Sequence, residues 1–264
     1  MNEQTREQLR SLRLPGFIQA LEEQQGSSQY ADLSFEERLS FLIQKECLRR
    51  DNQRLQIRLR SAKLKQAATL DQVDFSVARG LNKKKFLELA ELSWVANHHN
   101  LMIVGPTGVG KSFLASALGD QACKQGMTAR YSKTSALLTD LLSAKADGSF
   151  TRLSAALART DLLIIDEWLR EPLSEAHARE ILDLLDDRFR KSSTLFATQF
   201  PVTEWYRLIK DPTIAEAILD RVVHDSLRIE LKGESMRKLT SKVVQQEHSG
   251  VGKGAASSLR SDNP

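Results

Sequence analysis

Eight consecutive residues, Gly105-Pro106-Thr107-Gly108-Val109-Gly110-Lys111-Ser112, fill the pattern G-x-x-x-x-G-K-[ST]. Glycines let a backbone curl until successive N–H groups converge on phosphate oxygens, and a helix that starts beside them adds the positive end of its dipole. Lys111 is then the cation for β- and γ-phosphates, Ser112 offers a hydroxyl suited to Mg2+, and Phe113 follows it into the helix. Further along, Leu162-Leu163-Ile164-Ile165 runs into Asp166-Glu167. A buried strand that ends in two carboxylates offers Asp166 to the metal and its water shell, and Glu167 to deprotonate an attacking water. These residue types in this order predict binding and hydrolysis of a nucleoside triphosphate.

Such groups need a scaffold, and the sequence predicts one. Leu101-Met102-Ile103-Val104 reads as a strand before the glycine-rich loop, and Leu114, Ala115, Leu118 and Ala122 recur at helical spacing after it. Further strands are expected at Ala129–Ser132, Leu162–Asp166, Thr194–Thr198 and Leu227–Leu231, with helical patterns between most of them. The fold class is therefore α/β, with a mainly parallel five-stranded sheet flanked by helices. Before it, residues 1–68 read as a small all-α domain. Its last helix starts at a Ser34/Glu37 capping box and becomes strongly basic. Residues 69–247 form the expected nucleotide domain, and 248–264, rich in Gly and Ser, an expected disordered tail.

A chain of 264 residues with 41% hydrophobic content can bury a full core. Its two cysteines, Cys47 and Cys123, fit neither a disulfide framework nor a structural zinc site. No apolar run approaches the roughly 18 to 20 residues that a membrane span needs, and no apolar signal core opens the chain, so a cytoplasmic protein is expected. Net charge is +4, but residues 45–65 carry eight cations against Glu46 and Asp51, which leaves the rest of the chain slightly acidic.

The order of the two motifs, followed by Thr198-Gln199, Asp220-Arg221 and Gly233-Glu234-Ser235-Met236-Arg237, resembles the AAA+ ATPases of the IstB/DnaC group. Within that group, the stretches DLLIIDEW at 161–168, TQFPVTEWY at 198–206 and ILDRVVHDS at 218–226 are most similar to IstB-like transposition helper proteins. The likeness runs from about residue 5 to 245. It implies an AAA+ P-loop core, ATP and Mg2+ as cofactors, self-association into an ATP-dependent oligomer, and a cognate transposase that is helped to select or remodel target DNA. It further implies that Thr198 or Gln199 senses the γ-phosphate or the water. Arg221 would be an arginine finger entering a neighbouring copy's site. Arg237 would touch the γ-phosphate of its own site, and Phe75, in the segment Val73-Asp74-Phe75, would lie near the base.

Arg50, Arg54 and Arg58 stand at i, i+4 and i+8, one stripe of a helix, with Lys65 on its flank. Such a stripe suits a DNA backbone, and with no base-reading motif in the chain the binding is expected to be largely sequence-independent, to duplex DNA. Lys133, Lys145 and Arg152, around the turn Ala146-Asp147-Gly148, form a second candidate patch. The competing reading is a replicative helicase loader of the DnaC type, whose N-terminal segment would grip a protein; the concentration of positive charge favours DNA. A small metabolic kinase would need neither Arg221 nor a basic arm.

Overall fold

The structure, a computed structural model, describes residues 2–236 and 238, so Arg237 and the expected tail at 248–264 lie outside the described residues. The chain divides into two compact units, Met1–Arg60 and a second that starts at Ser61.

In the first unit, α1 (Glu3–Ser11) and α2 (Pro15–Gly26) precede α3 (Phe35–Ala62). Pro15 opens α2, where its missing N–H costs no helical bond. The capping box forms: the Glu37 N–H donates to Ser34 Oγ, and the Ser34 N–H donates to Glu37 Oε2 at 2.8 Å. Midway along α3, Glu46 is 5% exposed and accepts from the N–H groups of Gly16 at 2.7 Å and Phe17 at 3.2 Å. A carboxylate from α3 thus caps the first turn of α2. Arg49 and Arg50 pair with it at 2.8 and 2.7 Å. The Arg49 bond leads in holding the Glu46 carboxyl at about 2, against the opposing effect of burial.

The second unit is built on a sheet of β1 (Asn100–Val104), β2 (Ala129–Lys133), β3 (Leu162–Trp168), β4 (Ser193–Thr198) and β5 (Ser226–Glu230), in the order β2-β3-β4-β1-β5. All four strand pairs are parallel. Apart from β3, which runs two residues past the expected end at Asp166, the strands lie within a residue of the sequence expectation. Parallel strands covered on both faces read as unbroken apolar runs, and Leu162 to Ile165 are all fully buried.

The pleat sends alternate residues of each strand to opposite faces. Leu163, Ile165 and Phe196 join one core with α7 (Thr134–Ala146), α8 (Phe150–Arg159), α9 (Glu175–Arg188), α10 (Val202–Leu208) and α11 (Pro212–Val223). Ile164 faces the other way, against Gly119 of α6 (Lys111–Lys124). Two short helices, α4 (Lys83–Ala90) and α5 (Ser93–Ala96), lead into β1. Trp168 and Trp205 are packing residues, both fully buried against Phe196. No helix among the described residues is long and apolar enough to cross a membrane.

Arg188, at the end of α9, is 1% exposed and ties this core together. Its guanidinium donates to the carbonyls of Leu157, Thr160 and Ser193 and to Thr194 Oγ1. Burial pushes its pKa down to about 9, against the opposing charge of Asp161. Arg188→Met leaves those acceptors without donors, and we expect it to lower unfolding free energy by about 3–5 kcal/mol in urea titrations. A loss within the error of the titration would mean that water replaces the guanidinium.

Candidate nucleotide-binding site

The carboxyl ends of β1, β4 and β3 converge, and outside them lies a cavity of about 580 Å³. After β1 the chain turns through the glycine-rich loop into α6. Gly108 has φ +84° and Gly110 φ +104°, conformations that strain any residue with a Cβ. Space enforces the same choice: a Cβ on Gly108 would lie 2.2 Å from Ser235 Oγ, and one on Gly110 2.4 Å from Arg79 Nη1. Arg79 is 3% exposed and braces the loop by donating to the carbonyls of Val109 at 3.1 Å and Asp74 at 2.8 Å. From the other side, the Met236 N–H donates to the Gly108 carbonyl at 2.9 Å.

Ser112, in the first turn of α6, donates its hydroxyl to Asp166 Oδ2 at 2.6 Å. Tyr131 of β2 donates to the same oxygen at 2.5 Å, and the Glu167 N–H donates to Oδ1 at 2.8 Å. Burial alone would raise the pKa of Asp166, but these bonds and the Lys65 charge together lower it, so the group is a carboxylate. Burial, then the bond to Asp166, pushes the Tyr131 phenol well above its ordinary value and keeps it protonated. Two hard oxygens meeting here fit one Mg2+, a cation that keeps several waters and takes few protein ligands. No larger cluster of His, Cys, Asp and Glu suited to a metal occurs among the described residues.

Glu167 sits where the β3–β4 register shifts, between Ile165 and Trp168, and its φ is +56°. A bulge re-aims a side chain, and the left-handed backbone costs about 1–2 kcal/mol that the packing around it must offset. Its carboxylate is gripped by Lys133 at 2.8 Å and Arg170 at 3.0 Å, which lower its pKa against the opposing effect of burial. Lys111 donates to the carbonyls of Gly105 at 2.6 Å and Pro106 at 2.8 Å. Gln199 accepts from Thr107 Oγ1 at 2.7 Å and lines the cavity. Thr198 is fully buried, its hydroxyl committed to the Trp168 carbonyl at 2.9 Å. Of the two sensor candidates, Gln199 alone faces the cavity.

The structure gives several of the expected residues other neighbours. Lys65, expected on a DNA-facing flank, lines this cavity and contacts Ser112 Oγ at 3.1 Å and Asp166 Oδ2 at 3.3 Å. Lys133, likewise assigned to DNA, is the partner of Glu167. Phe75 does not line the cavity. It packs on Phe86 at 6.0 Å between centroids under the Lys83 ammonium, and Gln72, Asp74 and Arg79 form the wall instead. Arg50, the first of the expected stripe, is paired with Glu46. Arg54 pairs loosely with the exposed Asp51 at 3.5 Å. Lys145 pairs with Glu180 and lies over the Phe150 ring, while Arg152 is exposed on α8. Arg221 does not line its own chain's cavity and is ion-paired with Asp186 of α9. Tyr131, Arg79 and Arg170 were missed. Two of them leave a local spacing: Tyr131 stands two residues before Lys133 on the same face of β2, and Arg170 three residues after Glu167.

A model of the family described as IstB-like ATP binding protein matches residues 7–244. The insertion sequence ATP-binding protein y4pL of Sinorhizobium fredii (strain NBRC 101917 / NGR234) is 40% identical, over 89% of this chain and 96% of that one. The ATP-binding protein of insertion sequence IS1162 from Pseudomonas fluorescens is 43% identical, over 76% and 87%. Among solved structures, the replication initiator DnaA bound to AMPPCP and single-stranded DNA superposes with a TM-score of 0.55 at 15% identity, over 70% of this chain and 57% of that one. That likeness shows the fold alone.

Proposed function

Because this chain belongs to the family of IstB-like ATP binding proteins, we propose that it is an ATP-hydrolysing AAA+ ATPase that assembles on DNA and assists a transposase in choosing or remodelling its target. The observation that supports turnover is the meeting of Ser112 Oγ and Asp166 Oδ2 at 2.6 Å, with Glu167 turned out by the bulge beside them. The names of the relatives, which place them in insertion sequences, favour transposition over helicase loading.

In this reading the loop N–H groups and the start of α6 cradle the phosphates, and Lys111 leaves the loop carbonyls for phosphate oxygens. Ser112 and Asp166 hold Mg2+, which supplies charge neutralisation at the phosphates. Glu167 accepts the proton of the attacking water, and Gln199, from the end of β4, positions that water. The cavity walls at Gln72, Asp74 and Arg79 take the base and sugar. Arg221 of a second copy completes the site, so hydrolysis requires assembly.

DNA enters through the basic face of α3 that carries the exposed Arg54 and the half-buried Arg58. Arg50 is left out of that face because it caps α2 through Glu46. The double substitution Arg54→Gln/Arg58→Gln should weaken duplex binding and flatten the dependence of log K on log salt by about 2. Fluorescence anisotropy at graded salt measures both, and an unchanged slope places the DNA contact elsewhere. The whole reading is tested by sedimentation of the chain with duplex DNA, with and without ATP. A chain that stays monomeric with ATP and DNA together contradicts it.

A further inference from the structure

Lys65 follows α3 by three residues, and its position is set by its neighbours. Lys63 adopts φ +49° and ends the helix. Ala62 and Ala68 are buried, and Leu64 packs so closely on Gly119 that a Cβ there would lie 2.7 Å from Leu64 Cδ2. This anchoring delivers the Lys65 ammonium to Ser112 Oγ at 3.1 Å and Asp166 Oδ2 at 3.3 Å. Those are the two oxygens suited to Mg2+. Lys111 does not reach them, because its ammonium is turned to the carbonyls of Gly105 and Pro106. The cavity therefore holds two lysines with separate stations, one at the loop and one at the metal ligands.

We propose that Lys65 is a second nucleotide-site lysine that competes with the divalent ion for Ser112 and Asp166 and takes over charge neutralisation when nucleotide binds without metal. An ammonium carries three donors, and two are directed at these oxygens, so the third is available to a phosphate oxygen. At the phosphate end of the cavity a triphosphate arriving without metal meets Lys111, Lys65 and the start of α6, while the carboxylate of Asp166 is paired with Lys65 and that of Glu167 with Lys133 and Arg170. When the divalent ion binds, it displaces the ammonium from Asp166, so the two cations exclude each other at one set of oxygens.

This inference rests on the reading of the cavity as an ATP site, and one titration separates the two. The full chain is titrated with a fluorescent N-methylanthraniloyl ATP in EDTA and again across a range of Mg2+ concentrations. The unaltered chain should bind in EDTA. Lys65→Met should lose about tenfold or more of that metal-free affinity, the size expected for a charge-assisted bond, yet bind normally at saturating Mg2+. Its half-saturating Mg2+ concentration should fall, because the competitor is gone, and Lys65→Arg should restore metal-free binding. An unaltered chain that binds only with metal overturns the assignment, as does a Lys65→Met chain that binds normally in EDTA. Equal weakening with and without metal also overturns it, since that marks a structural role. An unaltered chain that binds under neither condition removes the ATP site itself.

Discussion

Glu167→Gln binds ATP as the unaltered chain does and hydrolyses it about 10²–10⁴ times more slowly, the range that a positioned general base contributes. The substitution keeps shape and hydrogen-bonding reach, so the loop, Lys111 and the Ser112–Asp166 pair are undisturbed. It removes the one property the reaction requires, an acceptor for the proton of water. The bulge beside β3 exists at a backbone cost, with Glu167 at φ +56°, and its effect is to turn this side chain out of the sheet. Lys133 and Arg170 hold the carboxylate in its charged form, below the ordinary carboxylate range. Losing those half-exposed ion pairs costs at most about 1 kcal/mol, so a folded variant is expected. Phosphate release under single-turnover conditions, beside equilibrium binding, makes the comparison. Hydrolysis at the unaltered rate would remove Glu167 from the base role.

The parts of the site legible in the sequence are those in which the chemistry lies along the chain. Gly105 to Ser112 is one continuous loop, and Asp166-Glu167 ends one apolar run, so local pattern was enough. Strand positions were legible because a parallel sheet buried on both faces leaves short apolar runs, and Leu162 to Ile165 is such a run. What the sequence hid was register and tertiary approach. Lys133 faces Glu167 because β2 pairs with β3 so that Lys133 stands opposite Asp166. Lys65 lies 101 residues from Asp166, and the packing of Leu64 on Gly119 brings it there. Neither contact leaves a period or a spacing. Glu46 differs: it stands at i−4 from Arg50 on one helix, so the pair was visible as a local ion pair. Its role as the cap of α2 was not, because Gly16 lies 30 residues away.

Arg221→Ala lowers ATP hydrolysis by about 10³-fold or more if the guanidinium stabilises charge on the transferred phosphoryl group of a neighbouring copy. The structure supplies a rival explanation: Arg221 is ion-paired with Asp186, which joins α11 to α9 within one chain. Two further proteins distinguish them. Mixed in equal amounts, Arg221→Ala and Lys111→Ala chains form interfaces of which about a quarter combine an intact loop with an intact Arg221, and activity should return in proportion. A role confined to one chain gives no recovery, because neither chain then holds a complete site. Asp186→Asn is the converse probe. It releases the guanidinium from its own chain and leaves it able to reach another, so hydrolysis should persist, with assembly by ATP unchanged or strengthened. If Asp186→Asn falls as far as Arg221→Ala, the ion pair between α9 and α11 is what matters and the site needs no second copy. If the mixture recovers and Asp186→Asn stays active, the pair with Asp186 is the resting contact of a residue that acts on its neighbour.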